Sequence, residues 1–131
     1  MKALRYNQGK KRWSLVDYKA IEGLVDVLEM GAKKYSVFKD SEGNQVLGSQ
    51  VLTDPTIDQS SLELVSSGEG NWKLGLDPKS ILDSAQRHLV KMMCDENYDE
   101  ESGLLHAHHV ICNMMFWVHY FNKTNKKEDK L

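Results

Sequence analysis

Between Ser14 and Tyr35 the apolar side chains recur at steps of three and four. Ile21, Leu24, Val25, Leu28, Ala32 and Tyr35 form one stripe, the spacing that buries a single face of an α-helix. Ser14 followed by Asp17 resembles a capping box with Asp in the usual Glu position, which starts the predicted helix near residue 14. The pattern dissolves after Tyr35. Residues 36–70 mix Gly, Ser, Asn, Asp and Pro with short runs of Val, Leu and Thr, which predicts a β-hairpin or an extended flap. Asp77-Pro78 restores a helix start, an acidic cap followed by proline in the first turn. Ile81, Leu82, Ala85, Leu89, Met92 and Met93 then mark a helix over 78–94. The turn CDENYDEES separates it from a last helix near 101–121. Leu104, Val110, Ile111, Met114, Met115 and Val118 make that helix apolar almost all round, as a buried helix is. The charged NKTNKKEDKL reads as a flexible tail over 122–131.

These elements predict an all-α fold: a small antiparallel helical bundle forming a single domain over 1–121, with a β-hairpin or flap insertion at about 36–70. A site in such a bundle is expected between facing helices. The chain has 131 residues, 40% of them hydrophobic and 27% charged, values ordinary for one globular domain. No apolar run reaches the roughly 18 residues of a membrane span, and no apolar stretch follows the basic N-terminus as in a signal peptide. A cytoplasmic protein without a membrane partner is expected. Net charge is −2, which gives no electrostatic reason to expect a nucleic-acid partner. Cys94 and Cys112 lack CxxC spacing and read as reduced packing residues.

Several polar residues need an explanation. At about 100° per residue, His106, His109 and Asn113 fall within roughly 60° of one another on the last helix, and Trp117 and Tyr120 continue the stripe. Buried polar groups need partners, so this is either a functional site or a hydrogen-bonded core. His108 and His119 lie on another side and read as packing. On the first helix Glu22, Asp26 and Glu29 share a face, either as oxygen ligands for Mg²⁺ or as a solvated face with Glu29 pairing Lys33. Glu96 and Asp99 form E-x-x-D, an acidic cap or a second set of metal oxygens. Arg87-His88 and Lys33-Lys34-Tyr35 bring cationic groups that could meet phosphate. No histidine is followed by Asp, which weakens an HD-type phosphohydrolase, and neither GxxxxGK[ST] nor a nucleophile elbow is present.

In order along the chain, YNQGKKRWSL, GAKKY, GNWKLG, QRHL and DENYDEESGLLHAHHVICN resemble the phage dATP/dGTP diphosphohydrolase family, which is related to the MazG-like all-α nucleotide pyrophosphohydrolases. The resemblance covers residues 5–35 and 70 to about 120. It implies metal-dependent cleavage of a purine deoxynucleoside triphosphate (dATP or dGTP) to monophosphate and pyrophosphate, in the host cytoplasm if phage-encoded. Lys10, Lys34, Tyr35, Asn71, Trp72, Arg87 and His88 match the motifs and would surround base, sugar and phosphates, with Trp72 either stacking a purine or packing in the core. Glu96, Asp99, His106, His109 and Asn113 match the C-terminal block. MazG-like enzymes carry EExxE on one helix, whereas this one offers Glu22, Asp26 and Glu29. The later ExxD has two registers here, Glu96-Asp99 or His106-His109. Preference of magnesium for oxygen favours Glu96 and Asp99, with the first-helix acids, as ligands for Mg²⁺ or Mn²⁺. His106 or His109 would then act catalytically, orienting a carboxylate or relaying a proton, and Asn113 would face the substrate. Residues 36–70 exceed the family's usual spacing and could be a lid, an oligomer contact or a specificity element. The alternative is a non-catalytic nucleotide-binding, sequestering or regulatory protein on the same fold; a third reading is an oligomeric phage scaffold. Apolar area on several helix faces predicts a homo-oligomer, dimer or tetramer.

Overall fold

The computed structural model describes residues 2–6 and 8–125. α1 (Tyr18–Lys34) starts at Asp17, whose carboxylate accepts a hydrogen bond from the Ala20 amide at 3.2 Å. Ser14 instead lies in a short 3-10 turn, Trp13–Leu15, so the helix begins about one turn later than the Ser14–Asp17 capping pattern predicts. α3 (Pro78–Met93) is capped by Asp77, which accepts from Lys79 N, with proline in the first turn where a missing N–H costs nothing. α4 (His106–Asn125) packs mainly along α3 and also against α1.

The all-α expectation is overturned. The β-hairpin expected in residues 36–70 is present as β1 (Val37–Lys39) and β2 (Gln45–Leu47), but β3 (Glu63–Ser66) adds to it and makes a three-stranded antiparallel sheet in the order β2-β1-β3. A short helix, α2 (Gly48–Thr53), follows β2 and packs on α1. Asp40 closes the β1–β2 turn by accepting from the amides of Glu42 at 3.0 Å and Asn44 at 2.8 Å. β3 returns to pair with β1, Phe38 opposite Leu64 and Lys39 opposite Glu63, with a register shift between Val37 and Phe38. The sheet is tied to the end of α1 by Ser36, whose buried hydroxyl donates to the Ala32 carbonyl at 2.7 Å and accepts from Gly68 N at 2.8 Å. A Cβ on Gly68 would lie 2.1 Å from the Ala32 oxygen, so only glycine permits this approach.

Two further boundaries differ from the sequence expectation. α4 starts at His106 rather than near 101, because residues 95–105 form a closed loop. It also runs on through Asn125, four residues into the segment read as a tail; the rest of that segment lies outside the described residues. The core is thin, built on Val27, Val51, Ile81, Ala85, Cys112 and Tyr120. Among the described residues no helix is long and apolar enough to cross a membrane.

Candidate functional site

A cavity of about 730 Å³ opens between α1, α3, α4 and the Gly68–Trp72 segment. One wall is set by the loop between α3 and α4. Asp95 adopts a left-handed φ of 62°, Asp99 N donates to Leu104 O at 2.8 Å, and His106 N donates to Asn97 O at 2.8 Å. The bridge between Tyr98 and Leu105 completes the closure and holds Asp99 over the first turn of α4.

Three histidines meet there. His106 and His109 are buried, and the His88 ring from α3 stacks on His109 with centroids 4.4 Å apart and planes 5° from parallel. His88 Nδ1 and His106 Nδ1 are 2.8 Å apart, so the two nitrogens share a single proton, one donating and the other accepting. Asp99 Oδ2 accepts from both the amide (2.9 Å) and the hydroxyl (2.8 Å) of Ser102. Ser102 Oγ also lies 2.8 Å from His109 Nε2. Burial raises the Asp99 carboxyl, but the Ser102 bonds and His109 outweigh it and hold the group below the ordinary carboxylate range. Asp99 is therefore ionised and the single Ser102 proton points to it. His109 Nε2–H must then donate to Ser102 Oγ, which fixes the tautomer and leaves Nδ1 as the basic atom. Burial lowers the pKa of His109, only partly countered by Asp99, and burial likewise lowers that of His88, so both rings are neutral at pH 7.

Cationic groups also line the cavity. Arg87 lines the cavity and makes no ion pair among the described residues. Lys34 also lines it, but its ammonium is held by Glu101 at 2.7 Å, a bond that raises its pKa. Tyr35, Asn71, Trp72 and Asn113 complete the lining from the motif residues. The Trp72 ring stacks on Phe116 at 4.6 Å and meets His119 edge-on, while its carbonyl accepts from the Tyr120 hydroxyl. It is thus both cavity wall and packing residue. Asn113 Nδ2 donates to His109 O at 2.9 Å and Ser84 Oγ at 3.3 Å.

Other sequence candidates lie elsewhere. Lys10 sits on the exposed N-terminal segment, in a separate hollow formed by Gln8–Ser14. Glu96 is exposed and pairs Lys91 at 3.3 Å. Of the first-helix acids, Glu29 reaches the cavity wall, whereas Glu22 and Asp26 do not line it. His108 bonds the Ala20 carbonyl at 2.9 Å and fills the space over Gly23, where a Cβ would sit 2.0 Å from its ring; it is packing between α4 and α1. Sequence reasoning passed over Asp83, Ser84, Glu101 and Ser102. The only signal for the first two is that Asp83 and Ser84 precede Arg87 and His88 by one helical turn.

The resemblance implies a divalent cation. Among the described residues the donors that converge, within 4.8 Å, are one atom each from His88, Asp99 and His106. Two imidazole nitrogens and one carboxylate oxygen do not fit Mg²⁺, which takes oxygen ligands. The carboxylate set of Glu22, Asp26, Glu29, Glu96 and Asp99 is not assembled, with only Glu29 and Asp99 on the cavity wall.

A family model described as "dATP/dGTP diphosphohydrolase, N-terminal" matches residues 1–130. A protein named "dATP/dGTP diphosphohydrolase" from Salmonella phage PMBT28 is 25% identical over 130 residues, 99% of this chain and 33% of that protein. The chain thus spans about a third of the length of the curated relative it matches. No solved structure matches it.

Proposed function

Given that the chain belongs to the dATP/dGTP diphosphohydrolase N-terminal family, we propose that it hydrolyses a purine deoxynucleoside triphosphate, dATP or dGTP, to the monophosphate and pyrophosphate. The observation that carries this reading is the pairing, in one cavity, of the Arg87 guanidinium, which has no ion-pair partner among the described residues, with an oriented neutral imidazole. The cavity volume suits a nucleotide-sized ligand. Arg87 binds the β- and γ-phosphates, where pyrophosphate builds up charge as it leaves. Lys34 joins it by exchanging Glu101 for a phosphate oxygen. A water molecule attacks the α-phosphorus, its proton passes to His109 Nδ1, and the bond from that phosphorus to the bridging oxygen breaks. The electron pair leaves with pyrophosphate. Ser102 and Asp99 hold His109 in the tautomer that can accept this proton. Asn71, Trp72 and Asn113, also on the cavity wall, are proposed to meet base and sugar.

Mg²⁺ carries no step in this account, since its donors are not gathered. A homo-oligomer, dimer or tetramer, belongs to the same proposal: Val25, Leu82, Leu89, Met93 and Val118 of α1, α3 and α4 are exposed apolar side chains that a second copy would cover. Phosphorus NMR of the protein incubated with each dNTP tests the reaction. Pyrophosphate and dNMP from the purine substrates are expected; orthophosphate, or equal turnover of dCTP and dTTP, would overturn it.

A further inference from the structure

We infer that His88, Asp99 and His106 form a binding site for one divalent first-row transition cation of the Ni²⁺, Cu²⁺ or Zn²⁺ class. The site stands whether or not the chain hydrolyses nucleotides. The disagreement with Mg²⁺ points to it: the three donors that converge on this fold are two nitrogens and an oxygen, contributed by α3, the closed loop and the first turn of α4. Imidazole suits this group of metals, and a set of two histidines and one carboxylate leaves coordination positions open for water or phosphate oxygen.

The local arrangement argues for more than a hydrogen-bonded pair. Two imidazole nitrogens held 2.8 Å apart direct lone pairs toward the same space, which a single proton or a cation must occupy. An ionised carboxylate within 4.8 Å adds negative potential there. Asp99 is also oriented as a ligand would be: both Ser102 bonds go to Oδ2, and among the described residues no hydrogen bond reaches Oδ1. Ser102 and His109 thus stand behind the carboxylate, the outer partners that commonly fix a metal-binding group. His88 and Asp99 lie on the cavity wall, so an ion can enter from solvent.

The test uses the full chain, freed of metal with a chelator, dialysed against Ni²⁺, Cu²⁺ or Zn²⁺ without nucleotide, and analysed for bound metal. One equivalent per chain is expected, unchanged by excess Mg²⁺. The Cu²⁺-loaded protein should show ¹⁴N modulation in its electron spin echo from the remote nitrogen of bound imidazole, a readout on the unmutated protein. His88→Ala and Asp99→Asn should each weaken binding by about 10-fold or more, with folding checked by circular dichroism. If His106→Ala unfolds, the spin-echo signal and the half-exposed His88 variant still decide the matter. Substoichiometric metal, displacement by equimolar Mg²⁺, absence of the nitrogen signal, or unaltered affinity in folded His88→Ala would overturn the site. Metal binding without dNTP turnover would sink the proposed reaction and leave this site standing; turnover without metal binding would do the reverse.

Discussion

Removing one hydroxyl, by Ser102→Ala, breaks the chain that connects His109 to Asp99. Two bonds are lost. The Ser102 hydroxyl bond to ionised Asp99, 2.8 Å long, is of the charged class that contributes roughly 1.5–3 kcal/mol. The His109 Nε2–H loses its acceptor, and an unpaired buried donor costs roughly 1–3 kcal/mol. Asp99 Oδ2 is 3.7 Å from that nitrogen, so a movement of under an ångström recovers most of the second loss. The Ser102 amide bond to Asp99 survives the substitution. The expected net loss is therefore about 2 kcal/mol in urea unfolding with an unchanged slope. The sign of its pH dependence follows from Asp99, whose carboxyl is depressed in the folded state. The stabilisation is present above the unfolded value of 3.8 and is lost as pH falls through the folded one, so the two proteins converge in acid. Ser102→Thr, which keeps the hydroxyl, should retain most of the stability. Hydrolysis of dGTP should fall about 10- to 100-fold in Ser102→Ala, as for other groups that orient a reacting residue. A loss under about 0.5 kcal/mol, the size of ordinary surface substitutions, would refute the relay.

Three further outcomes follow from the same geometry. Glu101→Gln releases Lys34 from its 2.7 Å ion pair and should lower the KM for nucleotide; a raised KM would show that Glu101 itself holds substrate. Iodoacetamide at pH 8 should label exposed Cys94 and spare Cys112, whose thiol burial pushes up to about 11, with both labelled only after unfolding; mass spectrometry of the peptides decides this. Gly68→Ala places a Cβ 2.1 Å from the Ala32 oxygen and should cost about 1–3 kcal/mol in denaturant unfolding, while loss of less than 0.5 kcal/mol would deny the tight seam between the sheet and α1.

The long helices were legible because their signals are local. Asp77-Pro78 marks the start of α3, and three-and-four spacing carries α1 and α4. Ends were harder to read: Asp17 won over Ser14 as the cap, and Leu104-Leu105 continues a helical period although Gly103, at φ 72°, belongs to the closed loop. The third strand escaped for another reason. β3 is exposed along its whole length and shows no alternation of buried and exposed positions, and it pairs with β1 across α2, a contact no local window contains. In the site, periodicity alone aligned His106, His109 and Asn113. It could not reveal that His88 from α3 stacks on His109, that Ser102 fixes the ring's tautomer, or that a lysine neutralises Glu96 away from the cavity. Those facts depend on how the loop closes, through bonds such as that between His106 N and Asn97 O.

In the proposed reaction water attacks the α-phosphorus. Hydrolysis of dGTP or dATP in H₂¹⁸O, with mass spectrometry of both products, reads the attacked atom directly. One ¹⁸O is expected in the deoxynucleoside monophosphate and none in pyrophosphate. Label in pyrophosphate, or nucleotide recovered intact, would contradict it.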